Sequence, residues 1–193
     1  MPDIFDVYVF GVKEKPDDFR NVLQTKVTDL KSLPTSSLAN AFYGVSEKNP
    51  LEGYIIIERE SASDDSDIVH FDQENNPSLQ EHLKVHFESQ ELASKALEAP
   101  MVEFCILTLN PGFTDQSVSG HLDTITGQNT SAIIAATWGT TQRADRLMTA
   151  VGWQSKEAHA EVAKNLTPEF QNVIVELLGM ATLKVCHVEL SQH

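Results

Sequence analysis

Two histidines in the second half of the chain occupy positions that favour proton transfer. His121 follows Val118 by three residues and precedes Ile125 by four, which places it on the apolar side of a predicted helix. His187 lies on the buried side of a predicted strand, unless a one-residue bulge at Cys186 turns it outward. Imidazole serves as a general base near neutral pH. We predict His121 and His187 as catalytic residues; for His121, a buried imidazole bonded to a carbonyl group is the alternative.

Aromatic and polar residues near the predicted strand ends form a second group of candidates. Flat aromatic side chains with a polar atom often line pockets for planar ligands, although core packing accounts for most of them. A guanidinium group in a loop could guide an acidic or phenolic substrate, and a histidine one turn into a helix could contact substrate or pack the helix. The predicted substrate-binding residues are Tyr43, Trp138, Arg143, Trp153 and His159.

Sequence motifs for common cofactors are absent. The chain has no Gly-rich nucleotide-binding loop, no HExxH, no clustered Cys/His zinc motif and no Gly-x-Ser-x-Gly elbow. We therefore expect no metal and no cofactor, while noting that a haem would need only one histidine ligand.

The charge balance excludes several classes of partner. The 193 residues include 14 Lys+Arg and 28 Asp+Glu, a net charge of −14. Nucleic acids and anionic membranes are bound through basic surfaces, so neither is an expected partner. Residues 1–100 carry 19 acidic and 9 basic side chains, against 9 and 5 in the remainder. The nearly neutral second half is thus the better place for an apolar pocket.

The elements that must position the candidate residues recur along the chain. A shift of 97 residues aligns the strand around Asp6 with the strand around Glu103, and each strand is followed by a helical pattern, two strands, a helical region and a closing strand. This order is the ferredoxin-like β-α-β-β-α-β unit. We predict an α+β fold with an N-terminal unit at 1–88, a linker at 89–100 and a C-terminal unit at 101–193. Two such sheets can bury their free faces against each other, sheet to sheet, as a pseudo-dimeric α+β barrel.

Local patterns refine this outline. Thr167 and Pro168 start the last helix, and Gly179 is predicted to end it. The first copy instead has an acidic stretch, 58–74, with a short helix expected at 68–71. A shift of 100 residues aligns the closing strands and pairs Phe87 with His187. In the first of these strands, His82 shares a predicted solvated face with His86.

The segment from Val151 to His159 resembles the antibiotic-biosynthesis-monooxygenase (ABM) family of dimeric α+β barrels. In that family a strand ends in an aromatic residue, here Trp153, and a Ser-x-Glu-Ala-His segment, here starting at Ser155, begins the next helix. The whole chain resembles the duplicated fungal members. The first copy keeps Ser61 but lacks the Glu-Ala-His portion, which argues against a second working pocket.

The resemblance implies a cofactor-independent, monooxygenase-like enzyme of secondary metabolism that acts on an aromatic or polyketide-derived molecule. Two alternatives stay open: a redox-neutral cyclase, dehydratase or isomerase that uses the same pocket, and a non-catalytic ligand-binding or stress-responsive barrel. The expected partner is a hydrophobic small molecule. The chain is expected to be a cytoplasmic protein, because it shows neither a signal peptide nor a long apolar segment, and to be a monomeric pseudo-dimer or a homodimer.

Overall fold

The chain forms two compact units, each with its own β-strands and helical structure. A computed structural model describes residues 4–12, 18–32, 38–59 and 78–193. The first unit takes in Met1–His86 together with Val188–His193, and the second takes in Phe87–His187. None of the helices in the described ranges combines the length and apolar character needed to traverse a lipid bilayer.

The first unit has a sheet in the order β4-β1-β3-β2-β9 and one described helix, α1. Asp18 caps α1 by accepting a hydrogen bond from the amide of Asn21, at 3.0 Å. The helix buries one side because its apolar residues recur every three or four positions, as an amphipathic helix requires. The elements are β1 (Ile4–Gly11), α1 (Phe19–Lys31), β2 (Leu38–Val45), β3 (Glu52–Arg59), β4 (Leu79–Phe87) and β9 (Ser191–Gln192).

The second unit repeats this strand order as β8-β5-β7-β6, with the closing strand beside the opening one in both units. Ladders are antiparallel wherever their register is described, for example between β5 and β7. The predicted α+β class with tandem ferredoxin-like units is therefore confirmed. The elements are α2 (Gln90–Leu97), β5 (Met101–Leu109), α3 (Asp115–Thr126), β6 (Ile133–Thr141), β7 (Arg146–Trp153), α4 (Lys156–Lys164), α5 (Pro168–Met180) and β8 (Ala181–Val188).

The stretch 89–100 contains helix α2, which groups with the second unit. It packs on β7 at Gly152, where an added Cβ would lie 2.8 Å from the Cα of Ala96. Only glycine permits that approach. Since Val151 and Trp153 face the opposite side of the sheet, Gly152 lets one strand contact helices on both of its faces.

Two local predictions need correction. Helix α5 continues through Gly179 to Met180 and ends only because Ala181 takes up the extended backbone of β8. His82 does not lie on a solvated face: its ring stacks on Tyr8, with centroids 4.4 Å apart, and bonds to Asp6. The helix expected at 68–71, like Ser61, lies outside the described residues.

A third correction concerns the alignment of the closing strands. Lys84 is the direct partner of Asp6 across β4 and β1, so both side chains face the same side of the sheet. In the second unit, Glu103 takes the place of Asp6, and the side of β8 that faces Glu103 carries Val185. Both residues line a cavity. The predicted shift of 100 residues would instead match Lys84 with Lys184. The two closing strands therefore differ by one residue in register, and a one-residue difference exchanges the two faces.

Residues 188–193 leave β8 and add a short strand to the first unit. Within β9, Gln192 pairs with Phe42 of β2. Arg20 of α1 donates a 2.8 Å hydrogen bond to the hydroxyl of Ser191, and Lys31 donates to the carbonyl of His193. The first unit is thus built from two segments that are far apart in the chain.

Candidate active site in the second unit

A cavity of about 240 Å³ lies between the sheet of the second unit and helices α3, α4 and α5. Its wall is mainly aliphatic and aromatic, with polar groups contributed by a few residues. A pocket of this composition suits an apolar ligand that carries a small number of polar atoms. The lining residues are Glu103, Cys105, Leu107, Leu122, Ile125, Gln128, Ile133, Thr149, Val151, Trp153, His159, Val162, Ala163, Leu166, Phe170, Ile174, Leu177, Leu183 and Val185.

Strand alternation and a helix cap place the polar side chains of the cavity. Side chains at every second position of β5 and of β7 face the helices, among them Glu103 and Thr149. Ser155 caps α4 by accepting a 3.1 Å hydrogen bond from the amide of Ala158. The cap fixes the start of α4, so His159 lies one turn into the helix and reaches the cavity.

Glu103 accepts hydrogen bonds from two histidines. Its Oε2 atom lies 2.8 Å from Nε2 of His187 and 3.0 Å from Nε2 of His159. The two rings are 4.7 Å apart and tilted by 52°. The three side chains come from β5, α4 and β8, and their potential ligand atoms all lie within 4.8 Å of one another. They are the only set of three such groups in the described residues that could hold a metal ion.

The ionisation of Glu103 settles the direction of these hydrogen bonds. Burial alone would raise the pKa of this carboxyl, but the bonds from His159 and His187 outweigh that effect and lower the pKa to about 2. An ionised carboxylate only accepts hydrogen bonds, so both Nε2 atoms must carry a proton. A neutral His159 in this tautomer has its lone pair on Nδ1, and that nitrogen can accept a proton.

Trp153 lines the cavity next to His159. Its ring meets His159 edge-on, with centroids 4.6 Å apart, and only 6% of the residue is exposed. The buried indole Nε1 makes no hydrogen bond within the described part of the chain. A buried N–H group is costly to leave unsatisfied. The indole N–H of Trp153 is therefore a donor that lacks a partner among the described residues.

Cys105 lines the same cavity but is a poor nucleophile. Burial, reinforced by the charge of Glu103, raises the pKa of its thiol to about 12. Because the thiolate is the reactive form of cysteine, Cys105 acts here as an apolar wall residue.

The structure separates the two predicted catalytic histidines. His187 is 5% exposed and belongs to the Glu103 cluster, although it does not itself line the cavity. His121 lies on the partly exposed side of α3 and bonds through Nε2 to Glu176 of α5, at 2.9 Å. Only His187 is thus brought to the cavity region.

The predicted substrate-binding residues are also divided. Trp153 and His159 line the cavity, whereas Trp138 packs in the neighbouring core and donates from Nε1 to Asp123 at 2.8 Å. Arg143 is half exposed in the turn after β6 and pairs with Asp145. Tyr43 is buried in the core of the first unit.

Glu103 is the site residue that the sequence predictions omit. Its signal was visible: it interrupts a strand that is otherwise apolar apart from Thr108, and it aligns with Asp6 in the first copy. A carboxylate buried in an apolar strand needs a partner. The partners lie 56 and 84 residues further along the chain, at His159 and His187, so no local motif reveals them.

Comparisons with known proteins identify the fold. No family model matches the sequence, and no curated protein matches it significantly. The chain is similar in structure to an anthrone oxidase-like protein, with a TM-score of 0.72 and 11% identity over 100% of this chain and 93% of that chain. It is also similar to a candidate monooxygenase from Lactobacillus acidophilus NCFM, with a TM-score of 0.60 and 15% identity over 100% of this chain and 96% of the other.

A third similar structure is a candidate monooxygenase from Fusobacterium nucleatum subsp. nucleatum, with a TM-score of 0.62 and 13% identity over 97% of this chain and 92% of that one. The three neighbours are 11–15% identical to this chain. At such low identity they establish a shared fold over nearly the whole chain.

Proposed function

We propose that this chain is a monooxygenase-like enzyme that works without a bound cofactor on an aromatic or polyketide-derived small molecule with an acidic hydroxyl or enol group. The observation that carries the proposal is the apolar cavity whose polar wall holds a histidine bonded to an ionised carboxylate. As the sequence resemblance implies, the proposal includes a role in cytoplasmic secondary metabolism.

His159 acts as the general base. Its Nε2–H donates to Glu103, which orients the ring and leaves the Nδ1 lone pair to take a proton from the substrate. The carboxylate then stabilises the imidazolium that forms. His187 holds Glu103 from the other side, so we assign it a positioning role.

Deprotonation makes the substrate electron-rich enough to react with oxygen directly. The carbanion or enolate transfers electrons to O₂ and forms a carbon–oxygen bond, which gives a hydroperoxide once a proton is returned. Loss of water from the hydroperoxide leaves a new carbonyl group. One oxygen atom of O₂ enters the product and the other leaves as water, so the substrate itself supplies the electrons.

The cavity limits the size of the substrate and supports its anion. At about 240 Å³ it lies below the usual range for drug-sized ligands, roughly 300–1,000 Å³, and thus favours a compact ring system. We propose that the indole N–H of Trp153, which lacks a partner among the described residues, turns toward the developing oxyanion and donates to it, an interaction that strengthens as charge accumulates.

The names of the structural neighbours support this choice of chemistry. Two are described as monooxygenase candidates and one as anthrone oxidase-like. Anthrone is a rigid aromatic ketone that ionises to an enolate, which is the property that the proposed mechanism requires. We therefore choose an anthrone as the first test substrate.

The test measures oxygen uptake and product formation with anthrone and chelator-treated enzyme. We expect consumption of equal amounts of O₂ and anthrone. His159→Gln and Glu103→Gln should each lower kcat/KM by about 10²–10⁴-fold, the usual contribution of a general base. The matched control is His86→Gln, which changes an exposed histidine of the first unit.

Three other experimental results would argue against a cofactor-free monooxygenase. Turnover of a related substrate without oxygen would replace this proposal by the redox-neutral cyclase or isomerase. Ligand binding with no turnover would favour the non-catalytic barrel. An absorption band near about 400 nm in active enzyme would indicate haem and contradict the cofactor-free mechanism.

A further inference from the structure

We propose that Glu103, His159 and His187 form a binding site for one first-row divalent metal ion such as Zn²⁺, and that the bound metal inhibits the enzyme. The inhibition by metal rests on the proposed function, because it presupposes that the protein is an enzyme. Metal binding itself is argued from the ligand atoms and is measured separately from turnover.

The ligand atoms of the three side chains lie close enough together to share one metal ion. Zinc lies about 2.1 Å from nitrogen and oxygen ligands in a tetrahedral arrangement, so two of its ligands are separated by about 3.4 Å. The Oε2 atom of Glu103 lies 2.8 Å and 3.0 Å from the two imidazole Nε2 atoms. An ion could therefore replace the two hydrogen-bonding protons if the carboxylate oxygen and each imidazole nitrogen moved apart by about half an ångström.

The chemistry of the ligands selects the type of metal. Two imidazoles and one carboxylate suit zinc and the neighbouring transition metals, whereas Mg²⁺ and Ca²⁺ prefer sites made of oxygen atoms. Glu103 and His159 also line the cavity, so further coordination positions would face space that water can fill. Three protein ligands with open positions are typical of reactive rather than structural metal sites.

Metal binding and base catalysis exclude each other at His159. A metal on Nε2 uses the lone pair of that nitrogen, so the remaining ring proton must reside on Nδ1. The Nδ1 lone pair, which accepts the substrate proton in the proposed reaction, is then lost. At the same time the metal takes the carboxylate oxygen that orients the ring.

Long-range ¹H–¹⁵N NMR of the wild-type imidazoles tests the inference directly. In chelator-treated protein we expect the assigned His159 and His187 signals to show the Nε2–H tautomer, and addition of about one equivalent of Zn²⁺ should convert both to the Nδ1–H tautomer. His82 and His121, which bond to other carboxylates through Nε2, should not change. The same amount of Mg²⁺ should leave all four unchanged. Unchanged tautomers of His159 and His187 at saturating Zn²⁺ would overturn the proposal without requiring any variant.

Calorimetric titration with Zn²⁺ locates the site. Glu103→Gln, His159→Gln and His187→Gln should each weaken binding by more than about 100-fold, beyond the roughly 10–100-fold effect of changing an outer-sphere partner. His86→Gln should keep the wild-type affinity. Circular dichroism confirms that each variant is folded. Equal affinity in all four variants would place the metal elsewhere and overturn the inference.

Activity separates this inference from the proposed function. Stoichiometric Zn²⁺ should abolish oxygen uptake, and chelator should restore it. Binding at the three residues without any turnover in metal-free protein would reject the proposed function alone. If metal-free protein turns over substrate and Zn²⁺ does not inhibit it, the claim that bound metal inhibits the enzyme is rejected. Turnover that requires Zn²⁺ would reject the same claim.

Discussion

The two units place a carboxylate at the same point of their first strand but surround it differently. Asp6 of β1 bonds to Arg59 and to His82, the latter at 2.7 Å. Glu103 of β5 bonds to two histidines, one of which lines a cavity. A guanidinium group is charged at all accessible pH values, whereas an imidazole can gain and lose a proton. The Asp6–Arg59 pair therefore includes a partner that cannot give up its proton, whereas both partners of Glu103 can take part in proton transfer.

The next positions along the same strands explain why the second unit has space for a ligand. In β1, Tyr8 and Phe10 follow Asp6 on its face of the sheet and are completely buried beside Leu23 of α1. The equivalent positions in β5 hold Cys105 and Leu107, which line the cavity. Two aromatic rings fill volume that a thiol and an isobutyl group leave open. One unit is thus filled by aromatic side chains at these positions, and the other keeps a pocket there.

The largest expected effect is the removal of a packed ring from the first unit. Phe10→Ala should lower the free energy of unfolding by about 3–5 kcal/mol, because it leaves a new void in a filled core. Leu107→Ala should cost less, about 2–3 kcal/mol, since Leu107 already borders a cavity. Urea denaturation measures both values. A greater loss for Leu107→Ala would contradict the proposed difference in packing.

Exchange of each carboxylate for its amide should separate stability from activity. Asp6→Asn should destabilise the protein by about 3 kcal/mol, because it removes the buried negative charge that faces Arg59. Glu103→Gln should cost about 1–2 kcal/mol, because its histidine partners need not be charged.

Oxygen uptake by the same two variants provides the second measurement. Asp6→Asn should keep its activity at a temperature where it is folded, whereas Glu103→Gln should lose it. If both variants lost activity to the same extent, the two clusters would not have divided roles.

The ion pair of the first unit should also produce a pH dependence. Burial opposes ionisation of Asp6, but hydrogen bonds from His82 and Arg59 outweigh it and lower the pKa of the carboxyl below its ordinary 3.8. The resulting stabilisation is complete above the unfolded pKa and is lost as pH falls through the lower folded pKa. Between about pH 5 and about pH 3, wild type should therefore lose more stability than Asp6→Asn. Parallel pH profiles in urea denaturation would contradict this assignment.

The smallest effect is expected outside both clusters. His121 and Glu176 form a pair on the partly exposed side of α3 and α5, where solvent screens the interaction. His121→Gln should change the free energy of unfolding by less than about 0.5 kcal/mol and should lower kcat/KM far less than His159→Gln does. An equal loss of activity in the two variants would restore His121 as the catalytic base predicted from the sequence.

Local periodicity was enough to predict most of the fold. The spacing of Phe19, Val22, Leu23, Val27 and Leu30 predicts a helix, and α1 buries all of them except Val22, which is exposed. The apolar run at 101–109 predicts a strand and coincides with β5. The repeat supplied the ferredoxin-like order because each element kept its pattern in both copies. Sequence alone did not reveal which side chains of the two closing strands face the same side of the sheet. Side chains alternate between the two faces in both β4 and β8, so a one-residue shift in the alignment leaves each pattern intact.

The candidate site was predicted less completely for a related reason. His159 and Trp153 were found because they occur within a short motif. The cluster around Glu103 depends on contacts among β5, α4 and β8, and no spacing rule relates such distant positions. His121 was selected because it lies on the apolar side of its predicted helix, yet in the structure it bonds to Glu176.

The pairing of Gln192 with Phe42 closes a loop that contains the entire second unit. The entropy lost on closing a flexible loop increases with the logarithm of its length, and such non-local pairings tend to form slowly. Folding of the second unit would replace most of that flexible loop with a rigid body. The last strand of the first unit should consequently form late, and local unfolding in the second unit should release it.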